Sequence, residues 1–161
     1  MFVKYFNSPV GRLLIKCSDT ALRSVTIGQT ARADDRQTDH WILQQTTGYL
    51  ERYFAGEKVS PASLPLELHG TVFQQQIWQM LLQIPYGCTT TYGLLAQQAA
   101  ALMQKKSMSA QAVGNAVGAN LLLLIVPCHR VLGKGNKLGG FSCGIEIKKK
   151  LLEIEHIMYK E

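Results

Sequence analysis

The sequence predicts an α/β fold of the α+β kind, with a small N-terminal lobe of antiparallel sheet and helix followed by a mainly helical C-terminal lobe. Three observations predict it. Strand-like runs are confined to residues 2–27, helical spacing dominates from residue 41 onward, and a linker over 58–70 with Pro61 and Pro65 divides the two regions. With 161 residues, 47% of them hydrophobic, the chain can bury one proper core and a second, smaller one. The expected boundary puts residues 1–68 in a supporting lobe and 69–161 in the lobe that carries the chemistry.

In the first lobe, residues 2–6, 11–17 and 21–27 are rich in β-branched, aromatic and aliphatic side chains and are separated by Asn7-Ser8-Pro9 and Ser18-Asp19-Thr20. Residues 29–38 are polar without apolar periodicity and read as a loop. Leu43, Thr47, Leu50 and Phe54 recur at helical intervals and predict a helix over 41–54, ended by Gly56 and Pro61.

In the second lobe, Phe73, Ile77, Trp78, Leu81 and Leu82 mark a helix closed by the turn Ile84-Pro85-Tyr86-Gly87. Thr89-Thr90-Thr91 offers an N-cap for a helix starting near Tyr92 and running through Leu94, Leu95 and Ala99. After a polar break at 104–108, residues 109–117 form a short helix of small side chains. With Lys105 and Lys106 in the turn, the pair has the form of a helix-turn-helix, which serves both core packing and DNA reading. The small residues at 110, 112, 114 and 116 permit close backbone approach to a neighbouring helix or to a groove.

The aliphatic run 121–126 predicts a buried strand. Past it, Gly133, Gly135 and Gly139 have the wrong spacing for a dinucleotide fingerprint, and no Gly-Lys-Ser/Thr opens the next helix, so a flexible wall around a planar ligand fits better. A final helix is expected from Ile145 to about Tyr159, with Ile147, Leu151, Ile154 and Met158 as its apolar stripe. Glu146, Lys148, Lys149, Lys150 and Glu153 then form a solvated face, Glu146 and Lys150 being spaced for an i,i+4 pair. Glu155 falls at the edge of the stripe, where it either reaches solvent or orients a histidine.

Composition narrows the function classes. The longest aliphatic run is far short of the roughly 18 residues of a membrane span, and the start has no signal-peptide pattern, which implies a cytoplasmic or nucleoid protein with no membrane partner. The cysteines at 17, 88, 128 and 143 show no metal-ligand spacing, so reduced thiols and no metal site are expected. Seventeen Lys+Arg against 11 Asp+Glu give +6, which suits a polyanionic partner.

Pro127-Cys128-His129-Arg130-Val131 is the most informative motif. A thiolate is a good nucleophile and a thiol a poor one, so a reacting cysteine needs a base such as imidazole. Pro127 donates no ladder hydrogen bond and leaves Cys128 on a turn. By itself the pair is equally a buried free thiol beside a surface histidine.

Residues 120–131 resemble the signature of the O6-alkylguanine-DNA alkyltransferases. Phe73-Gln74, Ile77-Trp78, Ile84-Pro85-Tyr86-Gly87, Thr91-Tyr92-Gly93, Ala112-Val113-Gly114, Gly139-Gly140-Phe141-Ser142 and residues 149–155 fall in the same family's order. The likeness covers about 70–157. It implies a monomeric single-use repair protein, without cofactor, that takes an alkyl group from O6 of guanine in double-stranded DNA onto Cys128. It also implies minor-groove docking of the helix-turn-helix and rotation of the damaged nucleotide out of the stack.

The implied roles are specific. Cys128 is the acceptor, His129 its base through a water, Glu155 the orienter of the imidazole, Asn120 the tie of the turn, and Tyr92 the proton donor to the departing base. Val131, Gly139, Phe141, Ser142 and Cys143 line the base pocket, where the carbonyls of Cys128 and Val131 read the exocyclic amine and the Ser142 amide meets O6. Gln74, Tyr92, Gly93, Gln111, Ala112 and Lys134 face DNA. Three positions depart from the family: Gln111 where arginine is usual, Phe141 where tyrosine is usual, and Cys143 where glycine is usual. Two rival classes are a cysteine hydrolase and a lesion-binding module that transfers nothing; the first has no need of a helix-turn-helix and the second none of the cysteine.

Overall fold

The computed structural model describes all 161 residues, which divide into two compact units, Met1–His69 with Leu121–Ile125, and Gly70–Asn120 with Val126–Glu161. In the first, β1 (Phe2–Ser8), β2 (Gly11–Cys17) and β3 (Leu22–Ile27) form an antiparallel meander, and a two-residue strand β4 (Arg36–Gln37) adds in parallel to β1, giving the order β3-β2-β1-β4. The register runs from Phe2 opposite Cys17 to Ser8 opposite Gly11, closed by a hydrogen bond from the Ser8 hydroxyl to the Gly11 carbonyl. Helix α1 (Trp41–Phe54) buries Ile42, Leu43, Thr46, Tyr49, Leu50 and Tyr53, so of the expected spacing Leu43 and Leu50 are buried while Thr47 and Phe54 are only half-buried at the edge of that face. His40 caps it, its Nδ1 accepting from the Ile42 amide at 3.2 Å. The 29–38 loop therefore contains one short strand that its polar composition hides.

In the second unit, α2 (Val72–Leu81) starts from a capping box in which Thr71 and Gln74 satisfy each other's amides. Gly70 is required there, because a Cβ would lie 2.5 Å from the Trp78 ring. Trp78 Nε1 in turn donates to the Ala116 carbonyl at 2.8 Å, fastening α2 to α4 (Ala110–Gly118). Strand β5 (Thr90–Thr91) leads directly into α3 (Tyr92–Leu102), capped by Thr91, and Ser109 caps α4. Ala96, Ala99 and Ala100 of α3 and Val113, Ala116 and Val117 of α4 are buried, so this helix-turn-helix uses small side chains for close packing. Strand β6 (Val131–Leu132) pairs in parallel with β5, and α5 (Ile145–Ile154) completes the unit over a cluster of Leu132, Leu138, Leu152 and Ile157.

Three expectations are corrected. The run 121–126 is buried but is no strand: Leu124 has φ +71, a single bridge joins Leu122 to Val25, and Leu121–Ile125 is grouped with the first compact unit. An apolar run reports burial, and burial alone does not choose between extended and turning backbone. Second, α5 stops at Ile154, Glu155 is its C-cap and His156 takes φ +57, so the helix does not reach Tyr159.

Third, the buried stripe of α5 is rotated. It consists of Lys148, Leu151, Leu152 and Glu155, whereas Met158 is 91% exposed, and Glu146 pairs with Lys149 at 3.6 Å. Lys148 was expected on the solvated face because of its charge; the i, i+3, i+4, i+7 geometry outweighs that, since these four positions share one side of the helix.

Candidate active site

Local backbone creates the position of Cys128. Pro127 supplies no amide to a ladder, Cys128–Arg130 coil into a 3-10 turn, and β6 begins at Val131. The parallel pairing of Thr90 with Val131 and Thr91 with Leu132 brings the first residue of α3, Tyr92, to this turn. Asn120 and Val126 stand at the two ends of the Leu121–Ile125 excursion. Asn120 Nδ2 donates to the Val126 carbonyl at 3.0 Å and to Cys128 Sγ at 3.3 Å, so one amide ties the turn and touches the thiol.

Behind the thiol lies a buried polar chain. His129 Nε2 hydrogen-bonds Glu155 Oε2, and Glu155 Oε1 accepts from Arg130 Nε at 2.7 Å and from the Gly87 amide at 3.0 Å. Arg130 Nη1 continues to the Ile84 carbonyl at 2.7 Å, and the Tyr86 hydroxyl donates to the Ile154 carbonyl at 3.1 Å. The Ile84–Gly87 turn is thereby tied to both ends of the chain. Gly87 has φ +81, a backbone that points its amide at the carboxylate and that a side chain would strain.

Electrostatics assign protons. Burial alone would raise Glu155, but the bonds and charges of His129 and Arg130 prevail and hold it down to about 2, a carboxylate. Burial holds His129 below its ordinary value against the pull of Glu155, so the ring is neutral; a carboxylate only accepts, hence Nε2 carries the proton and Nδ1 the lone pair. Burial pushes Cys128 up to about 11, with the Asn120 hydrogen bond and the Lys148 ammonium opposing and Cys143 reinforcing it. At rest it is a thiol, 3% exposed, and its conversion to thiolate must be driven by the groups around it. Tyr92 is raised by burial and then by Cys128, and so keeps its phenolic proton.

The predicted residues separate into groups. Cys128, His129, Glu155, Asn120, Tyr92 and Val131 converge on the turn, and Gly139 passes the Tyr92 ring closely enough that a Cβ would lie 3.6 Å from it. Phe141, Ser142 and Cys143 lie on the following loop, closed by the Gly144 amide donating to the Phe141 carbonyl at 3.0 Å. Gly93 and Gln111 are exposed on the first turns of α3 and α4, Ala112 is half-buried, and Lys134 is exposed beyond β6. Gln74 is different: its Oε1 is occupied in the cap of α2, accepting from the Thr71 amide at 3.0 Å. A cavity of about 860 Å³ is lined by Gly139 together with Lys134, Lys137, Leu138, Ile145 and Lys149, and Cys128 does not line it.

Arg130 and Lys148 were not given roles from sequence. Arg130 sits between His129 and Val131 at the end of the buried run, and a second basic residue beside the histidine was the available signal. Lys148 precedes Glu155 by two helical turns on one face, a relation visible only once Glu155 is taken as buried.

Comparison with known proteins agrees with this geometry. Residues 72–157 match the DNA-binding domain of 6-O-methylguanine DNA methyltransferase, and residues 1–68 match its ribonuclease-like domain. The methylated-DNA--protein-cysteine methyltransferase of Haemophilus influenzae is 39% identical over 99% of this chain and 88% of the relative. The constitutive enzyme of that name from Bacillus subtilis is 40% identical, covering 96% and 95%. Among solved structures, Mycobacterium tuberculosis OGT in complex with DNA superposes with a TM-score of 0.83 at 38% identity, over 96% of this chain and 92% of that one. With both lobes matched in sequence and the whole architecture matched in structure, the chain belongs to the 6-O-methylguanine DNA methyltransferase family.

Proposed function

We propose that this protein repairs O6-alkylguanine in double-stranded DNA by direct reversal, transferring the alkyl group irreversibly to Cys128. The observation that carries this reading is the buried chain His129, Glu155, Arg130, which begins at the residue after Cys128, with Asn120 donating to the sulfur. In the reaction His129 Nδ1 takes the Cys128 proton through a water, and Glu155 stabilises the imidazolium that forms. The thiolate attacks the alkyl carbon in line with O6; the C–S bond forms as the C–O6 bond breaks, and the electron pair stays on the guanine. Tyr92 gives its proton to the base, which leaves neutral.

An O6 substituent inside a duplex cannot be reached in line, so the nucleotide must leave the stack. The exposed faces of α3 and α4 dock in the minor groove, where Gly93, Gln111 and Ala112 approach the backbone and the net charge of +6 makes binding mostly phosphate-driven. Val131 and Cys128 carbonyls read the exocyclic amine, Ser142 meets O6, and Phe141 and Gly139 wall the base. The protein acts as a monomer in the cytoplasm or nucleoid; no helix is long and apolar enough to cross a membrane.

The deciding experiment incubates the protein with a duplex bearing O6-methylguanine and maps the product by peptide mass spectrometry. One methyl group on Cys128, with Cys17, Cys88 and Cys143 unchanged, is the expected result. An unmodified Cys128 sinks the proposal.

A further inference from the structure

The last four carbonyls of α5 find partners in two ways. Those of Leu151, Leu152 and Glu153 accept main-chain amides, from Glu155 at 3.2 Å, Ile157 at 2.9 Å and His156 at 3.0 Å. The carbonyl of Ile154, the last residue of the helix, accepts instead from the Tyr86 hydroxyl at 3.1 Å, a phenol 68 positions away in the chain. Tyr86 is raised by burial and then by the charge of Glu155, against Arg130, so the hydroxyl keeps the proton it donates.

The next residue holds the next position. Gly87 donates its amide to Glu155 Oε1 at 3.0 Å, and its backbone runs so close that a Cβ there would lie 3.8 Å from the Glu155 carbonyl oxygen. Arg130, which also bonds Oε1, has its guanidinium carbon 5.8 Å from the Tyr86 ring centroid and its Nη1 on the Ile84 carbonyl of the same turn. Two consecutive residues of one turn therefore hold Glu155 on both sides, Tyr86 through the main chain before it and Gly87 through its carboxylate. That carboxylate has no exposed surface, and its Oε2 meets His129 Nε2. Hydrogen bonds are directional, so a shift of the main chain that carries Glu155 changes its contact with the imidazole.

We propose that Tyr86 is a positioning residue for alkyl transfer, its hydroxyl fixing the main chain that carries Glu155 and so the orientation in which that carboxylate meets His129. The inference rests on the repair reading above. If the ring only fills space, Tyr86→Phe, which keeps the ring, leaves the reaction as it was. If the hydroxyl sets Glu155, its loss weakens the base that Glu155 orients. Of the charged groups that face His129, Glu155 raises its proton affinity, whereas Arg130 and Lys148 lower it. A loosened Glu155 therefore moves protonation of His129 to lower pH and makes it a weaker base.

The test measures single-turnover methyl transfer by the full chain from a saturating duplex bearing O6-methylguanine, over a series of pH values. Wild type must first methylate Cys128; if it does not, the repair reading fails and this proposal falls with it. Tyr86→Phe is expected to lower the rate about fivefold, as for one lost hydrogen bond, and to move the acid limb of the pH profile down by about half a pH unit. Placed in the Glu155→Gln background, the same substitution is expected to change the rate less than about twofold, because the group it acts through is gone. With an active wild type, a Tyr86→Phe rate within about twofold of it, an acid limb that stays in place, an equal loss in both backgrounds, or failure of Tyr86→Phe to fold would each overturn the proposal alone, the last by making Tyr86 a folding residue only.

Discussion

Cys17 in the first unit and Cys128 in the second are both buried thiols with an imidazole close by, and burial pushes both up to about 11. Their surroundings differ. Cys17 ends β2, and its Sγ lies 3.6 Å from His40 Nδ1, an atom already accepting from the Ile42 amide as the cap of α1. His40 is stacked on Phe2, with ring centroids 4.7 Å apart, and has no carboxylate partner among the ion pairs. Cys128 stands on a turn instead, with Asn120 donating to its sulfur and with a histidine backed by a carboxylate that is itself backed by an arginine. A raised thiol and a nearby histidine therefore do not define a nucleophile. The distinguishing feature is a set of fixed polar groups that can accept the proton and receive the charge as it forms.

The largest test of this contrast is Glu155→Gln. It keeps the shape but removes the charge that faces His129 and Arg130, and we expect methyl transfer to fall about 100-fold and unfolding free energy by about 3 kcal/mol. Denaturant titration and single-turnover assays read the two effects; an unchanged transfer rate would show that His129 is not an oriented base.

Acid should separate the two units next. Glu155 is held down to about 2 from an ordinary 4.5, and His129 below its ordinary 6.5, so in both cases the unfolded chain takes up protons first. Their stabilisation is complete above pH 6.5, begins to fade as His129 would protonate in the unfolded chain, and Glu155 alone loses about 3 kcal/mol as pH falls from 4.5 toward 2. In the first unit Asp35, lowered by the Lys16 hydrogen bond, adds its own loss only below its ordinary 3.8. Trp41 and Trp78 lie one in each unit, so fluorescence of Trp41→Phe and Trp78→Phe variants in urea at a series of pH values reports them separately. Loss at Trp41 beginning before loss at Trp78 would contradict the assignment.

A smaller effect is expected from His40→Ala, which removes a helix cap and should lower stability by about 1 kcal/mol with methyl transfer unaffected. A matching loss of transfer would place Cys17 and His40 in the chemistry. The smallest concerns delivery of the base to Cys128: Gln111→Arg restores the usual charge and stacking plane, and should tighten binding to a lesion-bearing duplex about threefold in a fluorescence titration. Equal affinity for the two proteins would show that Gln111 holds the flipped state as well as arginine does.

Much of the fold was legible because its signals are local. The apolar spacing of α1, the Thr71, Thr91 and Ser109 caps and the strands around Asn7-Ser8-Pro9 are decided within a few residues of chain. The 121–126 run misled because hydrophobicity reports burial and not backbone shape, and β4 was hidden because two polar residues pair through their main chain alone. The α5 stripe misled for the opposite reason. Lys148 and Glu155 carry charge, yet both are buried by partners distant in sequence, the Val131 carbonyl for one and His129 and Arg130 for the other.

By itself the sequence determined the first three strands, the helices that follow them, the turn after Pro127 and the candidate pair Cys128-His129, since each follows from residue type and spacing over short stretches. Only the tertiary structure decided which thiol has a backed histidine, where Glu155 and Lys148 point, and that Asn120 touches the sulfur. Those are relations between residues far apart in the chain, set by packing that must satisfy every buried charge.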